Sequence, residues 1–188
     1  FFYSLPFEEY QTLPGLNQSK LKQLLSSTSK QKQGYQIQQA MNFGNAGHCL
    51  LLEPHKFEEL YVCAPKTLRR RGKNGKKSWE EFCKLNSGKN VLTSTEWEQL
   101  QKIRKVFHIN PKIMQFWKHG ETEVSMFWDD VELGLDCKAR MDWYDGDSMK
   151  IVDLKFTKNI GKFSNQKQMD QHFSIQAAWY RRGVYQLT

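Results

Sequence analysis

Arg140-Met141-Asp142-Trp143-Tyr144-Asp145-Gly146-Asp147-Ser148-Met149-Lys150-Ile151-Val152-Asp153-Leu154-Lys155 consists of two apolar-rich runs around an Asp-Gly turn. That is the signature of a β-hairpin. Asp153 and Lys155 are two apart on the second strand, so alternation places them on one face. A loop of two or four residues keeps Asp142 on that face, whereas a loop of three turns it away. Diagonal cross-strand neighbours are about 7–8 Å apart, a separation at which two carboxylates can share one divalent cation. A hard cation such as Mg²⁺ takes carboxylate oxygens at about 2.1 Å and keeps several waters. Lys155 is then beside the metal, where it can orient a water or steady a developing charge. The competing reading is an exposed hairpin with an ordinary ion pair. Against it, Ile151-Val152-Asp153-Leu154-Lys155-Phe156 sets two charges inside an apolar run, and buried charge is costly unless paired or metal-bound.

The 188 residues are enough for one domain with a real core. A net charge of +8 with 13% aromatic residues points to a polyanionic partner, nucleic acid above all, the competing reading being a merely basic surface. No apolar run approaches the roughly 20 residues of a membrane span, and no secretory signal is visible. The chain opens on Phe1-Phe2 without Met and is expected to be a fragment. Cys49, Cys63, Cys83 and Cys137 form no Cys-x-x-Cys pair, which argues against a zinc ribbon or local iron–sulfur motif and for reduced thiols in an intracellular protein.

Tyr3 to Gly15 reads as an extended lead-in. Asn17 or Ser19 caps a short helix carrying Leu21, Leu24 and Leu25, and Ser26 to Gln33 is loop-like. A helix is expected from Tyr35 to Leu52, ending before Pro54. Its Ala40, Gly44 and Gly47 leave one side thin, and His48 shares a face with Gly44. A lone histidine there is either a satisfied core residue or a ligand with cleared space around it. Lys66 to Lys77 holds seven basic residues and two glycines, which suits a mobile loop, either merely solvated or contacting phosphates. Ser78 to Leu85 suits a short helix. Thr93-x-x-Glu96 is a capping-box pattern, opening a helix that turns Trp97, Leu100, Ile103 and Phe107 to the core and stops near Asn110. Pro111 can start another helix, burying Ile113, Met114 and Trp117 and ending at Gly120. Strands are expected at Glu123–Trp128, Leu133–Tyr144 and Met149–Phe156, with a turn at Asp129-Asp130. Glu123 either stands beside the carboxylate pair or faces water. A last helix, about Met169 to Tyr185, carries Gln176 and Tyr180 on one face with Arg181 and Arg182 following, either groups suited to phosphate or base contact or the pattern of an ordinary amphipathic helix.

Asp142 followed by Asp153-Leu154-Lys155 resembles the PD-(D/E)XK nuclease superfamily. Gly44-Asn45-Ala46-Gly47-His48 is similar to the histidine motif of its RecB-like branch, and Gln176-Ala177-Ala178-Trp179-Tyr180 to that branch's Gln-x-x-x-Tyr motif. Three further stretches narrow the resemblance to the exonuclease VIII (RecE-type) family: Leu5–Tyr10, Pro14–Ser19 and Met41–Pro54. It runs over nearly the whole chain.

The resemblance implies an α/β fold of the restriction-endonuclease-like kind, a central mixed sheet flanked by helices in a single domain over 1–188. It implies His48, Asp142 and Asp153 as metal ligands with the Leu154 carbonyl assisting, and Lys155 as the group that positions or activates water. Glu123 would take a second-metal or water-ordering role, and Gln176 and Tyr180 would hold DNA near the scissile phosphate. Arg69, Arg70 and Arg71, in the basic stretch, are the further DNA contacts expected. The implied activity is Mg²⁺-dependent hydrolysis of DNA from duplex ends, 5′-to-3′, in recombination, with Mn²⁺ able to substitute. The implied partners are double-stranded DNA ends, further copies of the chain in a ring and a single-strand annealing protein, with no membrane. The implied setting is the cytoplasm, bacterial or phage-encoded. An endonuclease or repair nuclease of the same fold, or a DNA-binding module without catalysis, are the rival readings; the set His48, Asp142, Asp153 and Lys155 speaks against the last. Two departures stand out. Met141 replaces the usual Pro before the first Asp. The superfamily core also has a strand after its last helix, whereas this chain stops at Thr188 and is expected to be truncated there.

His48→Ala separates the two readings of the histidine. A ligand role predicts a higher metal concentration for half-maximal cleavage. A packing role predicts a lower melting temperature, by about the cost of a small cavity, with the metal dependence unmoved. A metal titration of the variant beside its melting curve decides between them.

Overall fold

Alternation along Cys137-Lys138-Ala139-Arg140-Met141-Asp142-Trp143 gives a strand one apolar face and one charged face. In the structure, a computed structural model, that strand is the middle of an antiparallel meander. The structure describes residues 1–2, 5–25, 35–157 and 173–188; the side chains of 25, 35–40 and 73 are also outside the description. The expected loop at 26–33, the side chain of Ala40 and the expected first turn of the last helix at 169–172 therefore lie outside the described residues. The chain packs as two compact units, Phe1–Lys32 with Gly120–Thr188, and Gln33–His119.

The elements in chain order are α1 (Phe7–Thr12), α2 (Gln18–Leu25), α3 (Tyr35–Leu52), α4 (Pro54–Leu60), β1 (Tyr61–Cys63), α5 (Lys73–Leu85), β2 (Asn90–Leu92), α6 (Ser94–Ile109), α7 (Pro111–Trp117), β3 (Glu121–Asp130), β4 (Leu135–Asp145), β5 (Lys150–Val152) and α8 (Ser174–Leu187). The α/β class holds. Among the described residues the strands form two sheets, a parallel β1–β2 pair and an antiparallel β3–β4–β5 meander, where one mixed sheet was expected.

In the first unit, β3 pairs with β4 from Glu121↔Tyr144 to Asp130↔Leu135. Val124, Met126 and Trp128 thereby face the same side as Cys137, Ala139 and Met141, and these six join Trp179, Tyr180 and Val184 of α8 in one core. The helix lies close to the sheet because Gly183 is bare: a Cβ there would fall 2.8 Å from Met126 Cε and Trp128 Cζ3. The Trp128 and Trp179 rings meet at 5.3 Å, and Trp179 Nε1 donates to the Lys138 carbonyl at 3.0 Å.

The opposite face of β4 is covered by the N-terminal segment, which crosses the sheet from edge to edge. Phe2 exchanges backbone bonds of 2.8 and 3.0 Å with Ser125, while Leu16 is bonded between Asp136 and Lys138. Between these anchors Lys138, 1% exposed, donates from Nζ to the Tyr10 carbonyl at 2.8 Å and the Leu13 carbonyl at 2.6 Å, and lies 4.7 Å from the Tyr10 ring. Arg140 Nη1 holds the Leu5 carbonyl at 2.7 Å and Ser125 Oγ at 2.9 Å. The expected extended lead-in thus contains a helical turn, α1, whose carbonyl-rich end receives a buried cation. Asn17 does cap α2, accepting from Lys20 N at 2.9 Å.

In the second unit, α3 has its expected bounds and Pro54 opens α4 at the first helical turn. The Thr93–Glu96 capping box forms in both directions, and Asn110 caps α7. Leu100 and Phe107 are buried as expected, whereas α7 buries none of its residues and Met114 is exposed. The basic stretch is shorter as a loop than expected, since α5 takes in Lys73 onward.

One buried ion pair ties the far end of the meander to α8. Asp130, 1% exposed, receives Arg182 Nη2 at 2.7 Å, Leu133 N at 3.1 Å and Trp128 Nε1 at 3.4 Å, and Arg182 Nε as well. Arg182, foremost, holds this carboxyl well below the usual carboxylate range despite its burial. A carboxyl depressed on folding adds stability that is complete above its unfolded pKa, near 3.9, and fades as pH falls further. Asp130→Asn should therefore melt lower at pH 7 and lose less on acidification from pH 4 to 2 than the parent. Parallel acid limbs in a pH series of melting curves would refute the pair's role.

Candidate active site

Glu123 and Asp142 lie directly across the β3–β4 ladder, between the pairs Thr122↔Trp143 and Val124↔Met141. Asp153 follows the last β4–β5 pair, Trp143↔Val152, and so falls opposite Asp142 on the other side. The loop has four residues, 146–149, since Asp145 pairs with Lys150, and this is one of the lengths that keeps Asp142 and Asp153 on one face. Asp145 shapes the turn by accepting from the backbones of Asp147 and Ser148 at 3.1 and 3.3 Å. β5 ends at Val152, earlier than expected. Asp153, Leu154 and Lys155 are released from the ladder and are held by side chains instead.

The result is a row of three carboxylates across the meander, Glu123, Asp142 and Asp153. Glu123 stands beside Asp142, their nearest oxygens within 4.8 Å. Its backbone is left-handed, φ 55°, a conformation that costs a non-glycine residue about 1–3 kcal/mol and collects at functional sites. Arg140 Nε donates to Glu123 Oε2 at 2.6 Å. Asp142 Oδ2 accepts the Leu154 N–H at 2.6 Å. Asp153 Oδ1 accepts Gln176 Nε2 at 2.7 Å, and Asp153 Oδ2 pairs with the Lys155 ammonium, which also lies 5.8 Å from the Phe173 ring.

Burial, then the charge of Asp153, and more weakly that of Glu123, push the Asp142 carboxyl up to about 7 against the pull of the Leu154 N–H. Crowded, partly buried oxygen donors of one sign are what a divalent cation neutralises, so these residues fit such an ion. For Leu154, it is the N–H that the structure engages with Asp142; the expected ligand atom was its carbonyl.

Gln176 and Tyr180, expected to hold DNA, are both buried. The Gln176 amide donates to Asp153 and, at 2.9 Å, to the Tyr180 hydroxyl. That hydroxyl in turn donates to the Arg140 carbonyl at 2.8 Å, and burial pushes the phenol far up, so it remains a neutral donor. Their polar groups therefore brace Asp153 against β4 from α8.

His48 is half-buried on α3, in the other unit, and the ligand role expected of it rests on its sequence motif. Arg70, expected to contact DNA, is occupied: it makes a two-pronged bond to Glu96 at 2.9 and 3.0 Å, reaches the Val91 carbonyl at 3.1 Å and lies 4.4 Å from the Trp79 ring. It clamps its own unit together, whereas Arg69 and Arg71 are exposed. Two basic residues were missed. Arg140 carries a signal, two positions before Asp142 on the same strand face. Lys22 of α2 is close enough to Lys155 and Asp153 to feel both; burial first, and then Lys155, pull its ammonium below the ordinary value. Nothing in the sequence spacing marks it.

The sequence model of a family described as a PDDEXK-like domain of unknown function (DUF3799) matches residues 15–188. No curated protein matches the chain. No helix among the described residues is long and apolar enough to cross a membrane.

An acid whose pKa rises on folding weakens the fold when ionised. The penalty is absent below the unfolded value near 3.9 and grows until about pH 7. With chelator present, Asp142→Asn should match the parent near pH 4 and exceed it in stability at pH 8. The gap should reach a few kcal/mol, at about 1.4 kcal/mol per pH unit. Denaturant titrations across that range would show identical pH profiles if the crowding were unimportant.

Proposed function

Because this chain belongs to the family of PDDEXK-like domains, a nuclease-type fold, we propose that it is a metal-dependent deoxyribonuclease acting on duplex ends. The observation that carries this is the carboxylate row Glu123, Asp142, Asp153 with Lys155 beside it. Asp142, Asp153 and the Leu154 carbonyl are the groups that would hold Mg²⁺, with Mn²⁺ a substitute. When bound, the ion supplies Lewis-acid polarisation of the phosphate and lowers the pKa of an attacking water. Lys155 steadies the negative charge that develops on the phosphate. Gln176 fixes the Asp153 carboxylate, Tyr180 fixes Gln176, and Arg140 sets Glu123, which orders water at the second side of Asp142. Exposed Arg69 and Arg71 and the +8 net charge favour the DNA backbone.

The resemblance to the exonuclease VIII family supports the finer reading: 5′-to-3′ digestion in recombination, by a ring of subunits working with a single-strand annealing protein. End-labelled linear duplex digested beside closed circular DNA, with Mg²⁺ and with EDTA, tests the core of it. Degradation confined to the linear DNA and abolished by EDTA is expected, and cutting of the circle would turn the reading to an endonuclease.

Asp153→Asn should lower cleavage by about 100-fold or more while the protein stays folded and still binds DNA. Activity near the parent's would remove Asp153 from the site. Neutralising Arg69 and Arg71 together should lower the slope of log affinity against log salt by about 1.8, at about 0.9 for each phosphate contact on duplex DNA. An unchanged slope would make them ordinary solvated residues.

A further inference from the structure

Two cavities lie between the β4–β5 hairpin and α8, and the first adjoins the carboxylate row at Asp153. One, about 510 Å³, opens at Asp153 and Lys155 and is walled by Phe173 and Ala177. The other, about 520 Å³, continues along the helix past Ala178 to Tyr185. Met149, Ile151 and Arg181 line both, so the two form one groove with Arg181 at its waist. Each compartment is of the size that encloses a single small ligand.

Arg181 is exposed, and among the described residues its guanidinium makes no hydrogen bond or ion pair. Its neighbour Arg182 is by contrast committed to Asp130 and Glu132. Ala177, one helical turn before Arg181, leaves space beneath it. Met149 is 55% exposed on a left-handed backbone, φ 52°, at the rim shared by both cavities. Tyr185 is 82% exposed. The groove thus combines apolar and aromatic walls with a cation, Arg181, that is uncommitted among the described residues, and it runs directly into the proposed cleavage site.

We propose that this groove holds one unpaired nucleotide of the strand being cut, its base against Met149, Ile151 and Phe173 and the adjoining phosphate on Arg181. This rests on the nuclease reading and adds the substrate class: a strand whose end has opened, in preference to a closed duplex. A paired base offers only its edge, whereas an unpaired base offers the whole face that apolar and aromatic walls can cover. A planar guanidinium suits a phosphate, with two parallel donors for two oxygens. The groove supplies both contacts without using a group already assigned to the carboxylate row.

The test compares linear duplexes of one sequence whose terminal pairs are matched or mismatched, cut by the parent, Arg181→Gln, Arg181→Lys and Met149→Ser. The parent should show the lower KM on the mismatched end. Arg181→Gln should raise that KM about tenfold, the loss of one charge-assisted contact, with kcat little changed, and Arg181→Lys should recover part of it. Met149→Ser should narrow the preference for the open end.

A second reading needs no turnover. Asp153→Asn without metal is mixed with DNA carrying 2-aminopurine beside the bond to be cut. Emission should change on binding and stay unchanged when Arg181→Gln is added. A parent that cuts DNA with equal KM on both ends, together with an emission change indifferent to Arg181, overturns the proposal and leaves the nuclease reading standing. No metal-dependent cleavage of any DNA overturns the nuclease reading, and an Arg181-dependent emission change would then still support the groove as a nucleotide site.

Discussion

Like charge held in line is the constraint around which the first unit is arranged. The register of three antiparallel strands sets Glu123, Asp142 and Asp153 side by side, where their mutual repulsion opposes folding. Arg140 compensates Glu123 from below, and Lys155 with Gln176 compensates Asp153 from beyond the ladder. Asp142, in the middle, still feels both neighbours and its own burial. An arrangement that by itself opposes folding is hard to explain as scaffolding and natural for a cation site, where the same crowding becomes binding affinity.

The supports reach well beyond the row. Arg140 joins Glu123 to the Leu5 carbonyl, and its own carbonyl receives Tyr180, so one residue links β3, the N-terminal segment and α8. Lys138, two positions earlier on the same face, fixes that segment through the Tyr10 and Leu13 carbonyls. A buried lysine is tolerated only where oxygen replaces its water, and the carbonyls at the end of α1 provide it. The charged face of β4 therefore carries a gradient of function, from anchoring at Lys138 through bracing at Arg140 to the carboxylate row at Asp142.

Much of this was legible in the residues. The hairpin, the shared face of Asp142 and Asp153, the capping box at Thr93 and the α3 bounds all follow from local rules that tertiary packing did not override. What was not legible depends on partners distant in sequence. The fates of Arg70 and Gln176 are set by Glu96 and Asp153, which no spacing rule connects to them, so both were expected to face DNA. The early end of β5 reflects side-chain capture of Asp153 and Leu154, which strand propensity does not register. The α1 turn forms in a segment with two prolines because Pro6 and Pro14 lie outside it, where they punctuate a helix and do not break it.

The Leu154 N–H points at the Asp142 carboxylate from a segment that has left the ladder. A backbone amide bonded to a carboxylate is deshielded when the acid is ionised and relaxes when it is protonated. That single amide is thus a native spectroscopic probe: its proton shift follows the charge of the central carboxylate without any label or substitution. Its exchange with solvent likewise reports how long that carboxylate keeps hold of the chain, on the slow timescale of local opening.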